Sequence, residues 1–278
     1  MKSSAIFKTT ILMAAMVGLF MAIGYGIGGQ SGALLALVVA GALNFGMYWF
    51  SGSMVLKMQN AVPLDEQRFP QIRPMVQDIA AKDNLPMPQL YYVNTPIPNA
   101  FATGRNPSHA VVAVTAGIME LLSDDELYAV LAHELGHVKN YDMLVSTIAA
   151  TVGGAISYLA QIALFFGGDR ESPNPIALLA MAIFAPLAAM LIQLAVSRTR
   201  EFGADAHSKH ITGGDGHALA SALQKLEQLK PQLRDYQPTT AEQSTAHLMF
   251  TNMFTTDGIG ALFSTHPSTS ARVKRLLQ

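Results

Sequence analysis

The chain has 278 residues, of which 50% are hydrophobic and only 13% charged, with a formal net charge of −1. A soluble domain carries about 25% charged residues, so the deficit implies long apolar runs, and the near-neutral balance gives no basic surface to recruit a nucleic acid. The absence of cysteine excludes disulfides and thiolate ligands and leaves any metal to His, Asp and Glu.

Every residue from 9 to 56 is uncharged. A bilayer core of about 30 Å takes roughly 20 apolar residues per helix, so this stretch supplies two spans. They are expected near 9–27 and 33–51, joined at the glycine-rich run from Gly24 to Gly32. Tyr48 and Trp49 stand at the second exit as interfacial aromatics. The same start, with Lys2 and Lys8 ahead of an apolar run, also fits a cleaved signal peptide. No A-x-A-like cleavage site stands out, however, and a second apolar run follows at once. The glycines Gly24, Gly26, Gly28 and Gly29 have no preceding strand and read as a membrane turn, not a nucleotide loop.

From residue 52 the composition turns polar. Asp65 to Asp83 has helix-compatible apolar spacing despite Pro70 and Pro74. Gln89 to Asn94 and Ala110 to Thr115 are β-rich and predict strands, with Asn99 to Thr103 as a third strand at an edge. Ser123-Asp124-Asp125-Glu126 is a capping box, and it opens a helix predicted to run to about Asp142 or on into a third span.

Inside that helix lies His133-Glu134-Leu135-Gly136-His137. Histidines at i and i+4 share a helical face and can converge on one metal ion, while the glutamate between them points to the adjacent flank. There it can take a proton from a metal-bound water. Zinc suits the set, since it accepts imidazole nitrogen and lowers the pKa of its water to about 7. Such a five-residue match also arises by chance, so a third ligand is needed.

Two further uncharged runs follow, 143–168 and 172–197, separated only by Asp169, Arg170 and Glu171. They predict a second membrane hairpin, although their small residues also suit a buried hairpin in a soluble domain. If both hairpins loop to one outer side, Arg170 is the single outer basic residue among 18 Lys and Arg. The positive-inside rule then puts both termini and the polar segments in the cytoplasm. Four parts result: an N-terminal pair of spans (1–51), a first catalytic part (52–142), the second hairpin (143–197) and a second catalytic part (198–278).

In Ser197-Arg198-Thr199-Arg200-Glu201-Phe202-Gly203-Ala204-Asp205, Glu201 and Asp205 lie one helical turn apart. Glu201 can complete a His-His-Glu site, and Asp205 can accept a hydrogen bond from a ligating imidazole. Taken alone, the same residues with Arg198 and Arg200 also read as an exposed ion-pair cluster, and Arg200 is a candidate partner for Asp142. Leu219, Leu223, Leu226 and Leu229 mark an amphipathic helix, and 231–245 reads as a loop. The segment from Leu248 to Phe254 is either a lid over the cleft or core. His109, His207, His210, His217 and His247 read as surface or structural.

In combination these features resemble the HtpX-type membrane metallopeptidases, relatives of the CAAX prenyl protease within the gluzincins. The likeness covers essentially the whole chain: two N-terminal spans, the His133–His137 motif, the hydrophobic hairpin, Ser197 to Asp205, and Thr265 to Leu276. It implies an α-helical membrane protein with four transmembrane helices and an α+β gluzincin-type zinc peptidase domain. The implied setting is a bacterial inner membrane, multi-pass, with the catalytic domain cytoplasmic. The implied substrates are polypeptides, chiefly damaged or misfolded membrane proteins met at the lipid bilayer. By the likeness, one Zn2+ per chain is held by His133, His137 and Glu201. Glu134 is the general base and Asp205 supports a ligand. His266 stabilises the tetrahedral intermediate, and Asn99, Ala100 and Phe101 form the edge strand that aligns substrate. Two rival classes are a non-proteolytic scaffold or chaperone and a CAAX-type processing protease. The intact catalytic set speaks against the first, and the small number of spans against the second.

Overall fold

The computed structural model describes residues 2–144, 146–148, 198–233, 250 and 267–278. Most of the expected second hairpin, most of the 231–245 loop and His266 lie outside the described residues.

Helix α1 (Lys2–Met58) is broken at Gly28 and Gly29, the latter with φ 59 and ψ −142. That conformation is open to glycine alone, and it lets the chain reverse. The two arms then lie against each other. A Cβ at Gly24 would stand 2.4 Å from the Gly32 carbonyl oxygen, and Asn44 Nδ2 donates to the Met13 carbonyl at 3.3 Å. The segment Gly28–Gly46 is long and apolar enough to cross a membrane, and only 6% of it is buried by the rest of the protein. The second arm continues to Met58, past the expected exit at 51, because Val55 and Leu56 bury themselves in the domain that follows.

That domain is built on a four-stranded sheet, ordered β1 (Val62–Pro63), β2 (Gln89–Val93), β4 (Val111–Thr115) and β3 (Ala100–Thr103). β2 and β4 are parallel, whereas β1 and β3 pair antiparallel at the edges. Alternation along the strands sorts the side chains into two layers. Val93, Phe101 and Ala113 face Val55 of α1, while Tyr92, Ala100, Ala102, Val112 and Val114 join the main core. β1 carries no sequence signal, since two residues cannot show alternation.

Helix α2 (Ile72–Lys82) begins later than the expected Asp65. Asp65 Oδ1 accepts from the backbone N–H of Gln67 at 2.9 Å and folds this stretch into a turn. Pro74 falls in the first turn, where its missing N–H leaves no helical bond unmade. After β4 come α3 (Ala116–Leu121) and α4 (Asp124–Lys139), which is buried along nearly its whole length. α4 packs on β3, α2, α5 (Arg198–Ile211) and α6 (His217–Leu229), and α7 (Thr269–Leu276) closes the side formed by α5 and α6.

Candidate active site

The site is assembled on α4. Ser123 Oγ accepts the Glu126 N–H at 3.4 Å and Glu126 Oε2 accepts the Ser123 N–H at 2.8 Å, so the helix starts where the sequence puts it. From there His133 and His137 fall on one face, with their Nε2 atoms 3.1 Å apart. Between them Gly136 meets His207 of α5, whose ring a Cβ would approach to 3.0 Å. A mid-helix glycine costs about 1 kcal/mol relative to alanine, but here it lets α5 lie close enough to deliver its acids.

Glu201 is the first of these. Its Oε2 lies 3.7 Å from His133 Nε2 and its Oε1 3.5 Å from His137 Nε2. His133, His137 and Glu201 together offer three ligand atoms within 4.8 Å of one another. One turn on, Asp205 Oδ1 lies 3.0 Å from His133 Nδ1. Glu134 points to the other flank, where its Oε2 accepts the Ala102 N–H of β3 at 3.0 Å.

The donors suit a divalent cation. Two imidazole nitrogens and a carboxylate oxygen match the preferences of zinc. Burial drives the His133 pKa down to about 4, aided by the Arg272 and His137 charges. Burial also disfavours a charge on His137, but the carboxylates of Asp142, Glu201 and Glu134 overcome it and push this imidazole up to about 9. The carboxylates thus favour a positive charge on the His137 side, whereas burial, Arg272 and His137 disfavour one on His133. Glu134 is pushed up to about 7, chiefly by burial, with Glu201 adding to it and His137 opposing.

Three residues near the histidines make contacts with the site that the sequence did not indicate. Arg272 of α7 is fully buried, donating from Nε and Nη2 to Asp205 at 2.9 and 2.7 Å and from Nη1 to the Phe250 carbonyl at 3.0 Å. The signal was its spacing, four residues before Leu276, on the one buried stripe of α7. Phe250 is buried with its ring edge-on to His133 at 5.0 Å, and its N–H is accepted by Asn99 Oδ1 at 3.0 Å. Of the segment 248–254 only Phe250 is described, and it packs as core. The third is Asp142, seen in sequence only as a partner for Arg200. Here it is also 3.3 Å from His137 Nδ1. His207, expected to be surface or structural, is structural: its Nε2 lies 2.7 Å from Asp83 Oδ2.

Asn99 precedes β3, its main chain pinned to Thr115 by bonds of 2.8 and 3.0 Å. That pairing turns the N–H and C=O of Ala100 and Ala102 away from β4, where the Ala102 N–H meets Glu134, and those of Phe101 toward β4. His266 lies outside the described residues.

Comparison with known proteins agrees with this arrangement. Peptidase family M48 matches residues 66–278. The protease HtpX homolog of Methylibium petroleiphilum is 52% identical over 273 residues, covering 97% of this chain and 96% of that protein. That of Burkholderia multivorans is 50% identical, covering 98% and 95%. Among solved structures, the crystal structure of S. mikatae Ste24p shares the fold with a TM-score of 0.51 at 16% identity; the match covers 98% of this chain and 65% of that one. With near-complete coverage at half identity, the chain belongs to peptidase family M48 and is a membrane-associated metallopeptidase of the HtpX type.

Proposed function

We propose that the protein is a zinc-dependent endopeptidase of a bacterial inner membrane, with four spans and a cytoplasm-facing catalytic domain, that cleaves damaged or misfolded membrane proteins. The observation that carries this reading is the convergence of His133, His137 and Glu201, with Glu134 on the flank that meets the edge strand β3.

His133, His137 and Glu201 would hold one zinc ion. When bound, the ion supplies the Lewis acidity that makes water a nucleophile and polarises the scissile carbonyl. The chain's own residues do the rest. A substrate strand aligns along Asn99, Ala100 and Phe101, pairing with the Ala100 peptide group, which faces away from β4, while the Ala102 N–H is taken by Glu134. Main-chain pairing suits a protease that must accept many sequences. Glu134 stands beside that strand and moves the proton, from the attacking water to the leaving amine. A carboxylate positioned beside the attacking water can both take and return the proton. His266 is assigned the developing oxyanion by likeness. Asp205 holds His133 through Nδ1.

Detergent-purified protein with added zinc is expected to cleave casein or a membrane substrate. Glu134→Gln should cut turnover by about 10²- to 10⁴-fold, the range for loss of a positioned base, while metal content stays unchanged. A variant as active as the parent would sink the mechanism. His133→Ala and Glu201→Ala should lose the metal itself, which elemental analysis of the purified variants measures.

A further inference from the structure

Asp142 belongs to no step described so far, yet it is buried in direct reach of the site. α4 ends at Lys139, and Tyr141 adopts a left-handed backbone with φ 63. That reversal brings the chain back against the helix it has just left. Asp142 Oδ2 thereby lies 3.3 Å from His137 Nδ1, and Oδ1 lies 3.8 Å from Nη1 of Arg200 on α5. Both side chains are nearly inaccessible, at 7% and 10% exposure.

The same order of groups stands behind the other histidine. His133 Nδ1 meets Asp205, and Asp205 meets the buried guanidinium of Arg272. Imidazole, carboxylate and guanidinium thus occur twice, once per histidine, from unrelated chain positions. Helical spacing explains neither pair. Asp142 and Arg200 also stand at opposite ends of the apolar stretch 143–197, so their contact joins those ends.

We propose that Asp142, ion-paired with Arg200, is the positioning residue for His137, and that it sets metal affinity and geometry on the His137 side as Asp205 does for His133. The proposal rests on the metal-site reading above. An imidazole presents its Nε2 lone pair to a cation only when Nδ1 carries the proton. A carboxylate accepting that Nδ1–H fixes both the tautomer and the ring plane, and raises the basicity of the ligating nitrogen. Arg200, 3.8 Å away, offsets the charge of that carboxylate in a site that already contains Glu201 and Glu134.

The test uses full-length protein in detergent. Zinc affinity is measured by chelator competition, and the geometry of the site by the visible spectrum after cobalt substitution. Asp142→Ala is expected to weaken zinc about 10- to 100-fold, and Asp142→Asn, which keeps an acceptor but not the charge, about tenfold. Both should shift the cobalt spectrum, which a change of stability alone would not do. Arg200→Lys should fall between Asp142→Asn and the parent. Parental affinity and an unchanged cobalt spectrum in folded Asp142→Ala would overturn the proposal. If that variant does not fold, the same result in Asp142→Asn would do so. If the parent binds no zinc, the metal-site reading fails first. If the parent binds and cleaves while the variants match it, only this proposal fails.

Discussion

At position 136 two effects of similar size oppose each other. Alanine would gain about 1 kcal/mol of helix propensity over glycine. Its Cβ, however, would meet the His207 side chain at 3.0 to 3.2 Å, with Cβ of that residue among the atoms met. His207 cannot swing away cheaply, because Asp83 holds its Nε2 at 2.7 Å and that carboxylate also binds Lys139 at 2.8 Å. Overpacking of this kind costs about 1–3 kcal/mol, so Gly136→Ala should be destabilising by about 1 kcal/mol. In a His207→Ala background the same change should become neutral or stabilising, which thermal unfolding of the four proteins would measure. At this scale legibility followed sequence distance. His133, Glu134 and His137 sit within one helical turn and could be read directly. The partner of Gly136 is a histidine far along the chain, and Arg272 meets Asp205 across 67 residues. No local pattern encodes such meetings. The left-handed Tyr141 was equally silent, since tyrosine is not a residue expected there.

Elements were more legible where their ends carry their own chemistry. The Ser123 capping box gave the start of α4, and Glu126 does more than close it. Its carboxylate also accepts from Ser221 Oγ at 2.6 Å and Lys225 Nζ at 2.7 Å, tying α4 to α6. Burial works against ionisation here, yet the bonds from Lys225, Ser221 and the Ser123 backbone together hold the carboxyl below its ordinary 4.5. A carboxyl with a depressed folded-state pKa stabilises fully above its unfolded value, and the contribution is lost as pH falls through the folded one. Glu126→Gln should therefore cost about 1–2 kcal/mol at neutral pH, with the Lys225 share reduced by that residue's exposure. The gap between parent and variant should close on acidification below 4.5. Denaturant unfolding across pH 3 to 7 would show it, and a gap constant with pH would contradict the assignment. Where ends lacked such chemistry the reading slipped. α2 started late because Asp65 turned the chain, and α1 ran long because Val55 found a sheet to pack on.

For the molecule as a whole, what matters is how the apolar N-terminal arms are joined to the catalytic part. The second arm of α1 does not end at a flexible linker. Val55 packs on Val93, Phe101 and Ala113, on the sheet face opposite α4, and the Arg105 guanidinium lies 4.2 Å from the Trp49 ring centre. Trp49 and Arg105 are an aromatic and a cation of the kind that settle at a membrane surface. They stand just beyond β3, so the edge proposed to take substrate is fixed to the apolar arm at the level where that arm would leave the bilayer. The first arm joins this arrangement only because α1 is a hairpin. A continuous helix would separate residues 13 and 44 by about 46 Å at 1.5 Å per residue, whereas the hairpin brings Asn44 Nδ2 to 3.3 Å from the Met13 carbonyl. Since the chain has no cysteine, Met13→Cys with Asn44→Cys introduces a single possible disulfide. In native membranes this pair should crosslink within one chain under mild oxidation and alter its gel mobility. A pair at 13 and 28, on one arm, should not. Failure of the first pair in folded, active protein would mean that the arms are splayed, leaving the second arm alone to fix β3 relative to the bilayer.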